Sequence, residues 1–474
     1  MDMTSRRTFL KLAAMAAPSA TSFGSLVPRG LTPATSSGKP IQAWRTSGTV
    51  RCEQVEAPVW RTGVAGSEAI QLDPGQGYQE LLGFGAALTD ASCYLLGQMP
   101  AAARGALLRE CFGAGGLGLS MGRTSIGSSD YSRNAYTYDD TAQADPDLQH
   151  FSLEHDRQYI LPVLRETQTI NPEIFYFSSP WSPPAWMKSG DSLLGGSMQS
   201  RYFEPYAEYF VKFLEGYAAD GVHIRAVTIQ NEIDTDQGGR MPQCLWGQEY
   251  EIQFVKQFLG PALEKNSLDT KIWILDHNYN LWGRVADEFE DPDLSKYVDG
   301  VAWHGYFGSP ASMTRVHNMF PLKNAYWTEG GSDFNAPDYT TDWAKWSSTF
   351  AGILNNWARC IVSWNLVLDE HGKPNIGPFF CGGLLTQNSQ THQLTRSGMY
   401  WALGHYSKFM QRGARVFASH GDLPNIDHVA AQNPDGSRVL VVTNRGAERE
   451  VSCGLQGKTL QISLPANSVT TLIL

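Results

Sequence analysis

Ala226-Val227-Thr228-Ile229-Gln230-Asn231-Glu232 is a short run of strand-forming residues that ends on an amide and a carboxyl. Asn324-Ala325-Tyr326-Trp327-Thr328-Glu329 ends the same way. A glutamate closing such a run is poorly explained as surface decoration, because desolvating a carboxylate costs free energy. The pattern spreads outward from these two. Short apolar runs stand at 83–88, 118–126, 174–178, 226–230, 272–275, 300–303, 324–327 and 360–364, bounded by turn residues. Amphipathic stretches separate them. In 205–218, for example, Tyr206, Tyr209, Phe210, Phe213 and Tyr217 recur at three- and four-residue steps. Strand-helix alternation repeated eight times predicts an α/β fold, a (β/α)8 barrel.

A barrel of this kind carries its chemistry just after the strands. The runs end on Thr89-Asp90, Ser128-Ser129-Asp130, Ser179-Pro180-Trp181, Asn231-Glu232, Asp276-His277-Asn278, His304-Gly305-Tyr306, Thr328-Glu329 and Asn365. Glu232 and Glu329 fall on the fourth and seventh strands of this count, across one mouth. Glycoside hydrolysis needs two such carboxyl groups, one to protonate the leaving oxygen and one to attack or to activate water.

The chain ends read differently. Residues 438–443 spell RVLVVT, and 459–464 with 468–474 alternate apolar and polar. Asn433-Pro434-Asp435-Gly436 is a turn signal just before the first of these. We expect a β-sandwich built from 40–75 and 412–474, packed on a barrel of 76–411; a sandwich made of the C-terminal segment alone is the alternative. Residues 1–39 read as an export address and linker. Ser5-Arg6-Arg7-Thr8-Phe9-Leu10-Lys11 resembles a twin-arginine signal, which implies a periplasmic or extracellular destination.

Composition narrows the partner. The 474 residues carry a net charge of −10 and no long basic run, which argues against nucleic acid. No later segment of about 18 apolar residues appears, so no membrane-spanning segment is expected. Fourteen Trp, 19 Tyr and 21 Phe offer rings on which sugar faces can stack. Seven cysteines are scattered without a CxxC pair and read mainly as small buried hydrophobes. Gly113-Ala114-Gly115-Gly116-Leu117-Gly118 matches a dinucleotide fingerprint by letters, but a helical stretch precedes it and a strand follows, the reverse of the required order. Asp234 and Asp236 have no histidine beside them in sequence, and His277, His304 and His317 lack the spacing of a zinc-binding helix. Neither metal nor cofactor is expected. Nothing in the sequence sets the oligomeric state.

Further segments narrow the reading: LGFGAALTDAS (82–92), GRTSIGSSDYS (122–132), SSPWSPPAWMKSG (178–190), GVAWHGYFG (300–308), YWTEGG (326–331) and LGHYSKFM (403–410). With AVTIQNE they resemble glycoside hydrolase family 30 over about 78–415. The family holds glucosylceramidases and microbial β-1,6-glucanases, and it joins a (β/α)8 barrel to a β-sandwich built from both chain ends. The resemblance implies retaining hydrolysis of β-glucosides in the manner of a glucosylceramidase, with β-1,6-glucan as the alternative substrate. It makes Glu232 the acid/base and Glu329 the nucleophile. Asn231 would bond the sugar 2-hydroxyl, and Asp130 and Trp181 would hold other hydroxyls. His304 and Tyr306 would flank the nucleophile, Arg123 would keep it ionised, and Trp364 would floor the site. Two residues depart from the family. Ile233 stands where proline is usual, and Gly305 stands where the glucosylceramidases carry an aromatic, which suggests a wider site or changed contacts to the leaving group and weakens the case for ceramide. A carbohydrate-binding protein on an inactive barrel is a competing class, disfavoured because both glutamates are present. A metal-dependent hydrolase is another, disfavoured by the scattered histidines.

Overall fold

The computed structural model describes residues 40–474 apart from Ser67. The twin-arginine-like stretch therefore lies outside the described residues. Eight parallel strands close into a barrel in chain order. They are β1 (Gly83–Ala87), β2 (Met121–Ile126), β3 (Phe175–Pro180), β4 (Ile224–Thr228), β5 (Lys271–Asn278), β6 (Val298–His304), β7 (Asn324–Glu329) and β8 (Ala358–Ser363). Helices lie between them, among them Glu154–Ile170 after β2 and Phe203–Ala219 after β3.

All eight strands are where the runs lie, but their ends differ for local reasons. β2 begins at Met121 rather than 118, because the chain is still turning at Gly118, whose φ is +65°. β5 runs on through Asp276, His277 and Asn278, because His277 and Asn278 remain paired with β6. β4 stops at Thr228, yet its continuation stays tethered: Asn231 N donates to Pro180 O and Glu232 N to Asp276 O, at 2.7 and 2.9 Å.

The barrel interior is layered by the two-residue period of its strands. Met121, Phe177, Ala226, Trp273, Ala302, Tyr326, Cys360 and Val362 form one apolar cluster. Trp273 stacks on Tyr326 at 3.9 Å and meets Phe177 at 5.0 Å. Two residues further along the same strands the side chains turn polar: Arg123, Ser179, Thr228, His304 and Thr328, all buried. Asp276 joins this layer three residues beyond Trp273 because β5 bulges there. Leu275 pairs with Ala302 and His277 with Trp303, so Asp276 is skipped. β7 bulges likewise at Thr328. Bulges re-aim side chains in this way beside functional sites.

Besides a small three-stranded sheet (Val367–Asp369, Leu385–Gln387 and Leu394–Arg396), the described residues form a ten-stranded sheet that uses both ends of the described chain. Gln42–Ser47 pairs with Ser468–Ile473, Ala43 opposite Leu472. The expected boundary at 75/76 falls inside one strand, Ala69–Glu80, which stays paired with Arg415–His420 as far as Glu80. The apolar run 439–442 within strand Arg438–Asn444 is explained by its two buried faces. Leu440 and Val442 pack inside the sandwich, while Val439 and Val441 join the barrel-side core.

His405, on helix Gly398–Ser407, bonds Thr471 through Nδ1 and Thr46 through Nε2, both at 2.8 Å. Burial lowers its pKa from the ordinary 6.5 to about 3. Between those values the unfolded chain takes up a proton that the folded chain refuses, so stability is lost as pH falls from about 6.5 toward 3. His405→Phe should lower the Tm at pH 7 through lost hydrogen bonds and also flatten the Tm difference between pH 4 and pH 7. Calorimetry at both values checks this; an unchanged pH slope would contradict it.

Candidate active site

Asp276 organises the polar layer. Its Oδ2 accepts from Arg123 Nη2 at 2.8 Å, Ser179 Oγ at 2.7 Å and Thr228 Oγ1 at 2.8 Å. Its Oδ1 accepts from Thr328 Oγ1 at 2.8 Å and His304 Nε2 at 3.0 Å. Burial alone would raise this carboxyl's pKa, but Arg123 and His304 outweigh it and hold it far below the usual carboxylate range.

Arg123 passes the interaction upward. Its guanidinium is buried and lies 4.9 Å from the ring of Trp181 and 5.3 Å from that of Trp364. Nη1 bonds Glu329 Oε2, and Nη2 bonds Asn231 Oδ1 at 2.8 Å. The second Glu329 oxygen accepts from the Tyr306 hydroxyl at 3.0 Å. Glu329 is thus fixed at both oxygens.

Glu232 faces different neighbours. Its Oε2 accepts from Gln237 Nε2 at 2.7 Å, and its Oε1 lies 3.5 Å from His304 Nδ1 and 3.7 Å from His277 Nδ1. Burial pushes its pKa up, but the His304 interaction, the two imidazoles and Gln237 together hold it below the ordinary value. For His304 burial acts downward, and Glu329, Asp276 and Glu232 overcome it to hold the ring at about 9. His304 Nε2 is also 3.7 Å from Glu329 Oε2, so one imidazole spans the two glutamates.

Both glutamates line one cavity of about 370 Å³. Asp130, Trp181, Asn231, Tyr306 and Trp364 line it too. Trp181 and Trp364 stack at 5.2 Å. Burial, reinforced by Glu329 and Glu232, pushes the Asp130 carboxyl well above its ordinary pKa. The structure brings every expected site residue to this cavity or, for Arg123 and His304, directly beneath it.

Both departures have local explanations. An added Cβ at Gly305 would lie 2.7 Å from Trp327 Cζ2, and one at Gly330 would lie 2.3 Å from Cη2 of the same ring. The space left by Gly305 is filled by Trp327 and does not widen the site. Ile233 is buried, and its carbonyl accepts from Trp246 N at 3.0 Å.

Sequence reading did not select Asp276, Ser179, Thr228 and Thr328 as site residues. Three of them stood among the polar strand endings, and the signal was alternation with Phe177, Ala226 and Tyr326. It did not select His277 and Asn278, which stood in a polar strand ending, and it overlooked Gln237, Met241, Phe379 and Cys381; these six complete the lining. The separation of His277 and His304 in sequence concealed that adjacent β5 and β6 set them side by side. All seven cysteines are free thiols, six of them buried.

An eight-stranded barrel with two glutamates opposed in an aromatic-walled cavity at its strand ends is the framework of a barrel glycoside hydrolase. The family model for the glycosyl hydrolase family 30 TIM-barrel domain matches residues 81–410, and that for the family's β-sandwich domain matches 413–472. The chain belongs to glycosyl hydrolase family 30 and is a retaining β-glycoside hydrolase. It is 33% identical to an endo-1,6-β-D-glucanase of Neurospora crassa, over 91% of this chain and 95% of that one. It is 32% identical to the lysosomal acid glucosylceramidase of Mus musculus, over 80% and 78%. Among solved structures, the endo-β1,6-glucanase BT3312 superposes with a TM-score of 0.83 at 30% identity, covering 91% of this chain and 99% of that one.

Asp276→Asn keeps the side chain's shape but removes an anion from Arg123 and His304. The His304 pKa should fall by about one unit or more. Titration of the ¹⁵N-labelled imidazole by NMR reads this directly. An unmoved His304 would mean that the two glutamates alone set its charge.

Proposed function

We propose that the protein hydrolyses β-glucosides by double displacement, with Glu329 as nucleophile and Glu232 as acid/base. The observation that carries this is the asymmetry of the two carboxyl groups. Glu329 is ion-paired to Arg123 and held by Tyr306, whereas Glu232 has no arginine and two imidazoles. An aimed, charge-compensated carboxylate suits attack, and one beside exchangeable protons suits proton transfer.

In the first step a Glu329 oxygen bonds to the anomeric carbon, the glycosidic C–O bond breaks, and Glu232 delivers a proton to the departing oxygen. In the second, Glu232 takes a proton from water, whose oxygen displaces Glu329 from the same carbon. Asn231 has its Oδ1 committed to Arg123, so its amide N–H groups are free for a sugar hydroxyl. Asp130 and Trp181 offer further hydroxyl contacts, and Trp364 an aromatic floor.

For the departing group we favour a further glucose of a β-1,6-glucan. The relatives named endo-1,6-β-D-glucanases align over nearly their whole length, 95% and 93%. Glucosylceramide is the second reading, supported by the exposed Phe307 and Phe380 that flank the cavity residues Tyr306 and Cys381. The Arg6-Arg7 signal supports action outside the cytoplasm on either.

Glu329→Gln should cut turnover on the order of 10⁴-fold or more while leaving the Tm near wild type. Glu232→Gln should keep kcat/KM on 2,4-dinitrophenyl β-glucoside, whose leaving group needs no proton, but lower kcat because the second step lacks its base; added azide, which needs no base, should restore turnover and yield β-glucosyl azide. An α product would overturn the assignment. Because Glu232 must start protonated and its pKa is held low, kcat/KM should fall as pH rises above that value, by up to about tenfold per unit. A pH–rate profile checks this. Gentiobiose, β-1,6-glucan and glucosylceramide compared side by side decide the substrate.

A further inference from the structure

His277 Nδ1 and His304 Nδ1 are buried nitrogens without a hydrogen-bond partner, and both face Glu232 Oε1. The carboxylate oxygen is 3.5 Å from one and 3.7 Å from the other. One ligand atom from each of Glu232, His277 and His304 lies within 4.8 Å of the other two. Ligands of a tetrahedral zinc ion sit about 2.0–2.2 Å from the metal, and therefore about 3.3–3.6 Å apart. Two of the three separations here are already close to that.

The surroundings are also those of a metal site. The far nitrogen of His304 donates to Asp276 Oδ1 at 3.0 Å, and Asp276 is fixed by four other donors. A carboxylate behind the imidazole orients metal-binding histidines in the same way. Gln237 occupies Glu232 Oε2 and leaves Oε1 free to face the imidazoles. The cavity beside Glu232 and His277 leaves room for water as a fourth ligand. Two imidazoles with one carboxylate suit zinc and its first-row neighbours and are poorly suited to calcium or magnesium. A second cluster, Asp139, Asp145 and His150, also falls within reach of one ion. There, however, His150 Nδ1 is already bonded to Asp145 Oδ2 at 2.8 Å.

We propose that the substrate-free site binds a divalent ion of the zinc class through Glu232, His277 and His304, and that this ion inhibits hydrolysis by occupying the acid/base. Coordination releases the Nδ1 proton of His304 to water. The inhibitory part rests on the acid/base reading of Glu232; the binding part does not.

The test uses the intact protein, freed of metal with EDTA and exchanged into chelator-free buffer. Zinc chloride should bind once at this site by calorimetry, raise the apparent KM for an aryl β-glucoside without changing kcat, and be reversed by EDTA. Cobalt chloride should give the visible absorption of a low-coordinate cobalt centre. His277→Asn and Glu232→Gln should each weaken zinc binding tenfold or more, while Asp145→Asn should leave it unchanged. Zinc binding indifferent to both site variants, or equal inhibition by calcium, would overturn the site. Binding that depends on His277 but leaves turnover untouched would instead overturn the inhibitory claim and the role given to Glu232.

Discussion

The active site depends on the buried pair of Arg123 and Asp276, 2.8 Å apart with neither side chain exposed. Removing one partner of such a pair leaves an uncompensated charge, which costs about 3–5 kcal/mol. The pair is well satisfied here: Asp276 accepts five hydrogen bonds, and the guanidinium lies against aromatic faces. Its use is positional as much as energetic. Asp276 holds Arg123 on one side and His304 on the other. Arg123 then fixes Glu329, and His304 faces Glu232. A single anion at the barrel axis thus gives two chemically identical glutamates different surroundings.

Much of this was legible in the sequence, for a physical reason. Parallel strands buried on both faces must be nearly continuous apolar runs, so a polar residue closing one is conspicuous. Glu232, Glu329 and His304 stand out in that way. Asp276 also closes an apolar run, but its inward aim was hidden, because it follows Leu275 inside a strand that continues to Asn278 and only a bulge turns it inward. No two-residue period encodes a bulge. Gly305 misled for a related reason. A missing side chain reads as open space, but the neighbour that fills it, Trp327, lies on the next strand.

Trp327 also illustrates how the barrel holds its catalytic ends without many polar contacts. Its indole occupies the space that side chains at Gly305 and Gly330 would need, next to Tyr306 and Glu329 respectively. Gly305 N donates to Glu329 O at 3.1 Å, so β6 and β7 remain joined where their side chains diverge. Glu329 is therefore placed by packing beneath it and by charge in front of it.

The same strand ends carry unusual backbone. Glu232, Leu275, Asp276 and Asn365 have φ of +50°, +71°, +45° and +57°. Left-handed conformations cost a non-glycine residue roughly 1–2 kcal/mol each. Two of these four bear the carboxyl groups whose aim matters most, and neither could be replaced by glycine without losing its chemistry. The strain persists because the backbone is tied in on both sides, as where Glu232 N donates to Asp276 O. The offsetting stability comes from the other end of the barrel, where Phe177, Trp273 and Tyr326 stack in a layer free of charge. At the mouth of the barrel, strained backbone and the buried Arg123–Asp276 charge thus stand above an apolar plug that holds them in place.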